Sequence, residues 1–391
     1  MTPARSLAFM QQGMLDELVA LRRSIHREPE LAFQEELTAK KLEAALHDFG
    51  VRDVRRVAGT GVIARVPGTT SGAPTVAIRG DIDALPINEE TGLPFASERR
   101  GVMHACGHDV HATWAVGAAA LLVGKPARGD TIIVLQPAEE TGRGASAVLE
   151  SGALDGVTAI FGGHVDRRFE VGQVVADAGP LAASADMFEI ELVGQGAHAA
   201  RPHEARDPIV AAAALVTAIQ TIVSRRLNPA TPGVVTVGQI SAGNAPNVIP
   251  DRASLRGTIR AVEPESRRLM HEELRRLADA IGAAHGVKAT VSMPEGTPPL
   301  VNPDGPVAFA REAASRVLGK DALVPLGFLN LAGEDFAFYL ERMPGCFLRI
   351  GAREPGGVPI PAHSPRFYPA EESIVVGALV LAECARVAAA G

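Results

Sequence analysis

The run Asp130-Thr131-Ile132-Ile133-Val134-Leu135-Gln136 leads directly into Pro137-Ala138-Glu139-Glu140. An unbroken apolar run of this length is typical of a strand that is buried on both faces of a sheet. Similar β-branched runs at 61–66 and 74–79 precede it, and stretches with helical spacing alternate with these runs. This alternation predicts an α/β protein with a largely parallel sheet.

The middle of the chain predicts a different architecture. Strand patterns at 186–193, 234–241, 253–262 and 287–293 and helical patterns at 207–224 and 264–284 follow the order β-α-β-β-α-β. This is the order of the split, ferredoxin-like α+β unit. Gly179-Pro180 and the proline-rich segment 294–306 bound the unit. We therefore predict an inserted domain over 181–294, which interrupts a discontinuous α/β domain formed by 1–180 and 295–391.

Composition limits the possible classes of function. Of the 391 residues 47% are hydrophobic and 21% are charged, as in folded globular proteins. The formal net charge is -7 without a basic run, which argues against a nucleic-acid partner. No apolar stretch is long enough to predict a membrane span, and residues 1–7 lack the pattern of a secretory signal. Three cysteines are too few for a disulfide framework, so we expect a cytoplasmic protein without a membrane partner.

The segment His104-Ala105-Cys106-Gly107-His108-Asp109 places a thiol and an imidazole two residues apart, just before a predicted helix. Thiolate and imidazole are favourable ligands for zinc and similar metals. The pair alone is a weak signal, because a single cysteine is usually a core residue. Glu139 and Glu140 follow a predicted buried strand, where α/β folds build sites, although adjacent glutamates are equally consistent with a solvated loop.

A second motif, at residues 59–64, resembles a dinucleotide-binding site, but we reject that interpretation. Gly59-Thr60-Gly61-Val62-Ile63-Ala64, with Asp81 downstream, matches a dinucleotide-binding fingerprint. That fingerprint needs a helix to begin at the glycines, whereas the β-branched residues that follow predict a strand. The pattern therefore predicts a tight turn between two strands and gives no support for NAD.

Several rare motifs resemble those of the M20 family of metallopeptidases and amidohydrolases, in the branch of hippurate hydrolases and indole-acetyl-amino-acid hydrolases. The matching segments occur in the family's order along nearly the whole chain, at 79–86, 104–109, 136–140, 194–200, 247–251, 257–260, 333–336 and 363–365. The chain departs from the family at two positions. Gly163 precedes His164 where an apolar residue is usual, and Gly333 stands where serine is common.

The resemblance implies a zinc-peptidase-like catalytic domain formed by 1–180 and 295–391, with the ferredoxin-like insertion acting as a lid or dimerisation domain. It implies two divalent metal ions per subunit, Zn, Mn, Co or Ni, with the Cys106 thiolate as the bridging ligand. The remaining implied ligands are His108, Glu140, His164 and His363. Asp81 and Asp83 are implied to orient a ligand or the base, and Asp81 stands where other members have a metal-binding histidine.

The implied reaction is hydrolysis of the amide bond of N-acyl-L-amino acids, such as hippurate-like or N-acetyl conjugates, to a carboxylic acid and a free amino acid. Metal-activated water attacks with Glu139 as the general base. His198 is implied to stabilise the oxyanion, and Asn247 and Arg260 to hold the substrate carboxylate. A homodimer through the inserted domain is expected. Two alternatives stay open: a metallo-carboxypeptidase or dipeptidase of the same family, and a non-catalytic binder of amino-acid conjugates.

The other histidines and cysteines are predicted to have no direct catalytic role. His104 is expected to support the metal loop, and Cys346 and Cys384 are expected to be core thiols. The histidines predicted to be surface or packing residues are His26, His47, His111, His203, His271 and His285.

Overall fold

The computed structural model describes residues 12–390, so the prediction that residues 1–7 lack a secretory signal lies outside the described residues. The α-helices, in chain order, are α1 (Gln12–Arg27), α2 (Glu36–Asp48), α3 (His108–Gly124), α4 (Gly144–Glu150), α5 (Pro208–Thr221), α6 (Pro264–His285), α7 (Asp304–Leu318), α8 (Ala337–Leu340) and α9 (Glu372–Ala388). The strands are β1 (Asp53–Val57), β2 (Gly61–Val66), β3 (Thr75–Asp81), β4 (Thr131–Gln136), β5 (Val157–Glu170), β6 (Val174–Val175), β7 (Gly179–Ala182), β8 (Asp186–Val193), β9 (Ala197–His198), β10 (Gly233–Ala242), β11 (Val248–Ile249), β12 (Arg252–Ala261), β13 (Lys288–Ser292), β14 (Leu300–Asn302) and β15 (Gly345–Arg353).

The chain forms two compact units. The larger unit comprises the described residues up to Gly179, the segment Asn302–Phe328 and the described residues from Phe338 onward. The smaller unit comprises Pro180–Val301 and Leu329–Ala337. The inserted segment is predicted over 181–294, and the smaller unit also takes in a short later segment.

A seven-stranded sheet in the order β1-β2-β4-β3-β5-β15-β6 forms the centre of the larger unit. The four adjacent strands β4, β3, β5 and β15 are parallel, whereas β1, β2 and β6 are antiparallel to their neighbours. Apolar residues of β3 and β4 pack with α3 and α9 in one core, which includes Val76, Ile78, Ile133 and Leu135. The predicted α/β fold class is confirmed, and the carboxyl ends of the parallel strands meet at one edge of the sheet.

The smaller unit has an antiparallel four-stranded sheet in the order β10-β12-β8-β13. Along the chain, α5 follows β8 and α6 follows β12, which is the predicted β-α-β-β-α-β order. One core joins residues of both helices and the sheet, among them Leu215, Ile219, Leu274, Ile190 and Leu255. The ferredoxin-like α+β prediction therefore matches the element order of this unit.

The fold also bears on two predictions from the sequence, the glycine-rich turn and the lack of a membrane span. Gly59 lies in the turn between β1 and β2, which pair as a hairpin, and Gly61 begins β2, so the glycine pattern marks a turn between two strands as predicted. Among the described residues, Pro208–Arg226 is the one helix that is long and apolar enough to cross a membrane by length and composition. A single helix of this kind is weak evidence for a membrane span, because core helices pass the same test, and Ala211, Leu215 and Ile219 of this helix pack in the core of the smaller unit.

Candidate metal centre

The ends of neighbouring strands and the start of one helix position the candidate site in the larger unit. Asp81 is the last residue of β3, and Glu139 and Glu140 form a short 3-10 turn just after β4. His164 lies within β5, and His108 begins α3 directly after Gly107. Gly107 has φ of 89°, a left-handed conformation that glycine adopts without strain. This turn aims the thiol and imidazole of the segment toward the strand ends.

Cys106 belongs to two groups of candidate ligands. One group is Cys106, His108 and His164, and the other is Cys106, Glu140 and His363; within each group the ligand atoms lie within 4.8 Å of one another. Sγ of Cys106 is 3.2 Å from Nε2 of His164, and Nε2 of His363 is 3.4 Å from Oε1 of Glu140. The structure thus brings together all five of the residues that the sequence predicts as metal ligands.

Hydrogen bonds orient the two buried histidines of the first group. Nδ1 of His108 donates to Oδ1 of Asp83 over 3.1 Å, and Nδ1 of His164 donates to the carbonyl oxygen of Val165 over 2.7 Å. Because Nδ1 carries the proton in each neutral ring, the lone pair of Nε2 remains available for a metal. Asp83 also accepts a hydrogen bond from the backbone N–H of Glu140 over 3.0 Å, so one carboxylate orients parts of both groups.

The chemistry of these donors fits divalent metal ions. Nε2 of His108 is buried and has no hydrogen-bond partner within residues 12–390, yet it lies 3.7 to 3.9 Å from carboxylate oxygens of Asp81, Glu140 and Glu139. Although burial lowers the pKa of His108, the charge of Asp81, the hydrogen bond to Asp83 and the nearby Cys106 together outweigh it and raise that pKa. Burial and the charge of Glu140 raise the pKa of the Cys106 thiol. A cation would compensate this negative charge and stabilise the thiolate, and sulfur, imidazole and carboxylate ligands suit zinc and similar ions.

His111 has a role that the sequence does not predict. Its Nδ1 donates to Oδ1 of Asp81 over 2.6 Å, and its Nε2 accepts from the backbone N–H of Val165 over 2.9 Å. Burial is the largest of the effects that lower the pKa of His111, so the ring is neutral. Since both ring nitrogens form hydrogen bonds, His111 links Asp81 to β5, the strand that carries His164. Its position within α3, three residues after His108, is the one sequence signal that could have found it.

The three residues predicted to contact the substrate lie in the smaller unit. His198, in β9, pairs with Val248 of β11, and the carbonyl of Asn247 accepts from the N–H of Ala199, so His198 and Asn247 are close neighbours. The backbone N–H of Ala200 donates to Nδ1 of His198 over 3.1 Å. The neutral ring therefore carries its proton on Nε2, which is free to serve as a hydrogen-bond donor.

The two departures from the family pattern have steric explanations. A Cβ atom at Gly163 would lie 3.3 Å from the carbonyl oxygen of Leu348 in the neighbouring strand β15, which is a tight contact. A Cβ atom at Gly333 would lie 2.8 Å from Cβ of Ala185 and 3.7 Å from Nη1 of Arg260. In this chain, glycine at 333 therefore avoids a clash with the side chain of Ala185.

Comparison with known proteins places this geometry in a family. The model of Peptidase family M20/M25/M40 matches residues 77–387. The chain is 40% identical over 372 residues to the N-acetyl-L-cysteine deacetylase of Bacillus subtilis, covering 95% of this chain and 88% of the relative. It is 37% identical over 391 residues to the IAA-amino acid hydrolase ILR1-like 4 of Arabidopsis thaliana, covering 98% and 88%.

A solved structure gives the same result. The chain superposes with a TM-score of 0.85 and 37% identity on a Bacillus subtilis protein described as a dinuclear metal binding peptidase from the M20 family, covering 96% of this chain and 99% of that one. With the candidate ligand cluster described above, these matches show that the chain belongs to peptidase family M20/M25/M40, in its amidohydrolase branch, and that it is a metal-dependent hydrolase of amide bonds.

Proposed function

We propose that the protein is an N-acyl-amino-acid amidohydrolase, which cleaves hippurate-like, N-acetyl or related conjugates to a carboxylic acid and a free amino acid. The observation that carries the proposal is the pair of ligand groups that share the Cys106 sulfur, with Glu139 next to His108. The names of two relatives, a deacetylase of N-acetyl-L-cysteine and a hydrolase of IAA-amino acids, support this substrate class.

Two divalent ions would be held by Cys106, His108, His164, Glu140 and His363, and they would supply Lewis-acid activation of the amide carbonyl and of a water molecule. Glu139 would take a proton from the attacking water, and it would later deliver that proton to the nitrogen of the departing amine. Asp83 keeps Nδ1 of His108 protonated and holds the backbone of Glu140 in place. Asp81, held by Arg79 and His111, fixes the strand end on which the site is built.

Residues of the smaller unit are proposed to bind the substrate. The Nε2–H of His198 is a suitable donor to the oxyanion that forms when the carbonyl carbon is attacked. Asn247 and Arg260 are proposed to hold the free carboxylate of the amino acid, because the fork of a guanidinium matches the two oxygens of a carboxylate. We retain the assignment of 1–180 and 295–391 as the catalytic domain and of 181–294 as a lid or dimerisation domain.

Replacement of the general base tests the proposed chemistry. We expect Glu139→Gln to lower kcat for an N-acyl amino acid by roughly 10²- to 10⁴-fold, because the amide cannot accept a proton. The metal content is expected to stay close to that of the unmodified protein. Glu150→Gln, at an exposed position at the end of α4, is the matched control and is expected to retain full activity. Hydrolysis that survives Glu139→Gln would show that the base is assigned wrongly.

The predicted homodimer and the cytoplasmic location remain separate proposals. One observation supports self-association: β10 lies at the edge of the four-stranded sheet, and the side chain of Ile240 in β10 is 55% exposed. An exposed apolar edge strand is a ready site for pairing with another chain. Light scattering on the purified protein is expected to give the mass of two chains, and the mass of a single chain would contradict the proposal.

A further inference from the structure

Glu35 is a buried carboxylate that the mechanism above does not use. It lies directly before α2, and its side chain is fully buried. Its Oε1 accepts a hydrogen bond from the backbone N–H of Ala138 over 2.9 Å, and its Oε2 accepts one from the hydroxyl of Thr60. The contact with Ala138 joins positions that are 103 residues apart along the chain.

Ala138 is the residue that precedes the proposed base. It has φ of 56° and ψ of 37°, in the left-handed region that residues other than glycine seldom adopt. Such a conformation persists only where the surrounding structure holds it. The hydrogen bond from Ala138 to Glu35 is a contact that holds it, because a buried N–H without a partner is unfavourable.

The segment 137–140 is fixed on both sides of Glu139. Glu35 accepts from the N–H of Ala138 before the base, and Asp83 accepts from the N–H of Glu140 after it. The space around the segment is also filled, since a Cβ atom at Gly144 would lie 1.6 Å from the carbonyl oxygen of Pro137. Two buried carboxylates from different parts of the chain thus set the path of the backbone at Glu139.

We propose that Glu35 is a positioning residue that places the carboxylate of Glu139 through the backbone of Ala138. The proposal rests on the proposed function, in which Glu139 is the base. Without Glu35, Ala138 is expected to relax toward an ordinary backbone conformation and to move the carboxylate of Glu139. A general base must lie within hydrogen-bond reach of its proton, so a displacement of about 1 Å is costly. Glu140 keeps its hydrogen bond to Asp83, so metal binding is expected to persist.

Glu30 offers a matched control in the same part of the chain. It is also buried, and its Oε2 accepts hydrogen bonds from the backbone N–H and the hydroxyl of Thr38. Glu30→Ala therefore removes a buried carboxylate with two hydrogen bonds, as Glu35→Ala does, without removing a bond to the segment 137–140. A purely structural role for Glu35 predicts that the two variants behave alike.

The test compares Glu35→Ala, Glu35→Gln and Glu30→Ala for kcat, KM and metal content, with N-acetyl and N-benzoyl amino acids as substrates. We expect Glu35→Ala to lower kcat by about 10- to 100-fold, with KM and metal content close to those of the unmodified protein. Glu35→Gln is expected to restore kcat to within a few-fold, because its Oε1 can accept from Ala138 while its amide donates to Thr60. Glu30→Ala is expected to lower thermal stability and to leave kcat unchanged.

Equal kcat losses in Glu35→Ala and Glu30→Ala would overturn the proposal, as would a loss of metal or a rise in KM without a change in kcat. If Glu35→Ala does not fold, Thr60→Val replaces it, because it removes one partner of Glu35 and leaves the carboxylate. A several-fold loss of kcat is then expected, and an unchanged kcat would overturn the proposal. Glu139→Gln measured in parallel separates the two claims. If it is inactive while Glu35→Ala is fully active, the positioning role alone is wrong, whereas an active Glu139→Gln refutes the proposed base.

Discussion

Among the single residues of the site, Cys106 takes part in both ligand groups, so its sulfur is the atom on which a two-ion site depends. Cys106→Ser keeps the shape of the side chain but replaces a thiolate with a hydroxyl, which is a poor ligand for zinc. We expect the variant to bind fewer than two ions per chain and to lose most of its activity. Metal analysis by mass spectrometry measures this directly. Cys346→Ala, which removes another buried thiol of the same unit, is expected to keep its metal. Two ions per chain in Cys106→Ser would contradict the shared-ligand assignment.

The residues of the site differ in how visible they are in the sequence. Cys106 and His108 are two positions apart, and Glu139 and Glu140 come shortly after β4, so local patterns and the family resemblance predict them. Glu35 contacts Ala138, and His111 contacts Val165, in each case far away in the sequence. Local residue spacing does not predict such contacts. His26, predicted as a surface or packing residue, is likewise buried, and it contacts Asp109 and Glu89. Long-range hydrogen bonds of this kind require the fold.

At the scale of whole elements, the close packing of α3 against α9 requires a glycine at position 377. Trp114 of α3 is fully buried, and a Cβ atom at Gly377 of α9 would lie 2.3 Å from its ring. Gly377→Ala is therefore expected to lower the free energy of unfolding by about 1–3 kcal/mol through overpacking. Gly305→Ala in α7, where a Cβ atom meets nothing within 4 Å, is the control and is expected to be neutral or slightly stabilising. Unfolding followed by the fluorescence of the single tryptophan measures both variants, and equal stabilities would contradict the packing argument.

A buried ion pair in the smaller unit joins β8 of the four-stranded sheet to α6. Asp186 in β8 accepts hydrogen bonds from Arg267 of α6 at 2.7 to 3.2 Å, and its Oδ2 lies 3.3 Å from Nε2 of His271. Although burial raises the pKa of Asp186, the adjacent His271 and the hydrogen bonds from Arg267 together outweigh it and lower that pKa to about 2. An unfolded aspartate titrates near pH ~3.9. The stabilisation by the ionised group is therefore complete above about pH 4, and it is lost as the pH falls toward about 2.

Asp186→Asn tests this ion pair. At pH 7 the variant is expected to be less stable by on the order of 2 kcal/mol, and the difference from the unmodified protein is expected to shrink between about pH 4 and 2. Urea unfolding followed by circular dichroism at a series of pH values gives the difference. A difference in stability that stays constant down to pH 2 would show that the charge of Asp186 does not contribute.

The order of helices and strands along the chain is predicted well from the sequence. The pairing of strands that are distant in the sequence is not. The element order of the smaller unit follows from alternating patterns at 186–293. The position of β15 does not: it runs parallel to β5 with Arg349 opposite His164, and these residues are far apart in the sequence. Strand order and register depend on packing between remote segments, which a periodic pattern does not encode.

For the whole molecule, the family match covers residues 77–387 and so includes most of both units. Family membership establishes a metal-dependent amide hydrolase, and it implies a small-molecule amide as the substrate. The acyl group and the amino acid remain part of the proposed function.

The most direct measurement is kcat/KM of the metal-reconstituted protein for a matched series of N-acetyl, N-benzoyl and indole-acetyl amino acids and free dipeptides. A dipeptide carries an aminoacyl group with a charged amine in place of the neutral acyl group. The series therefore changes what occupies the acyl pocket and keeps the carboxylate that Asn247 and Arg260 are proposed to hold. We predict higher kcat/KM for at least one N-acyl amino acid than for any dipeptide. A clear preference for dipeptides would contradict the amidohydrolase proposal and assign the protein as a peptidase of the same family.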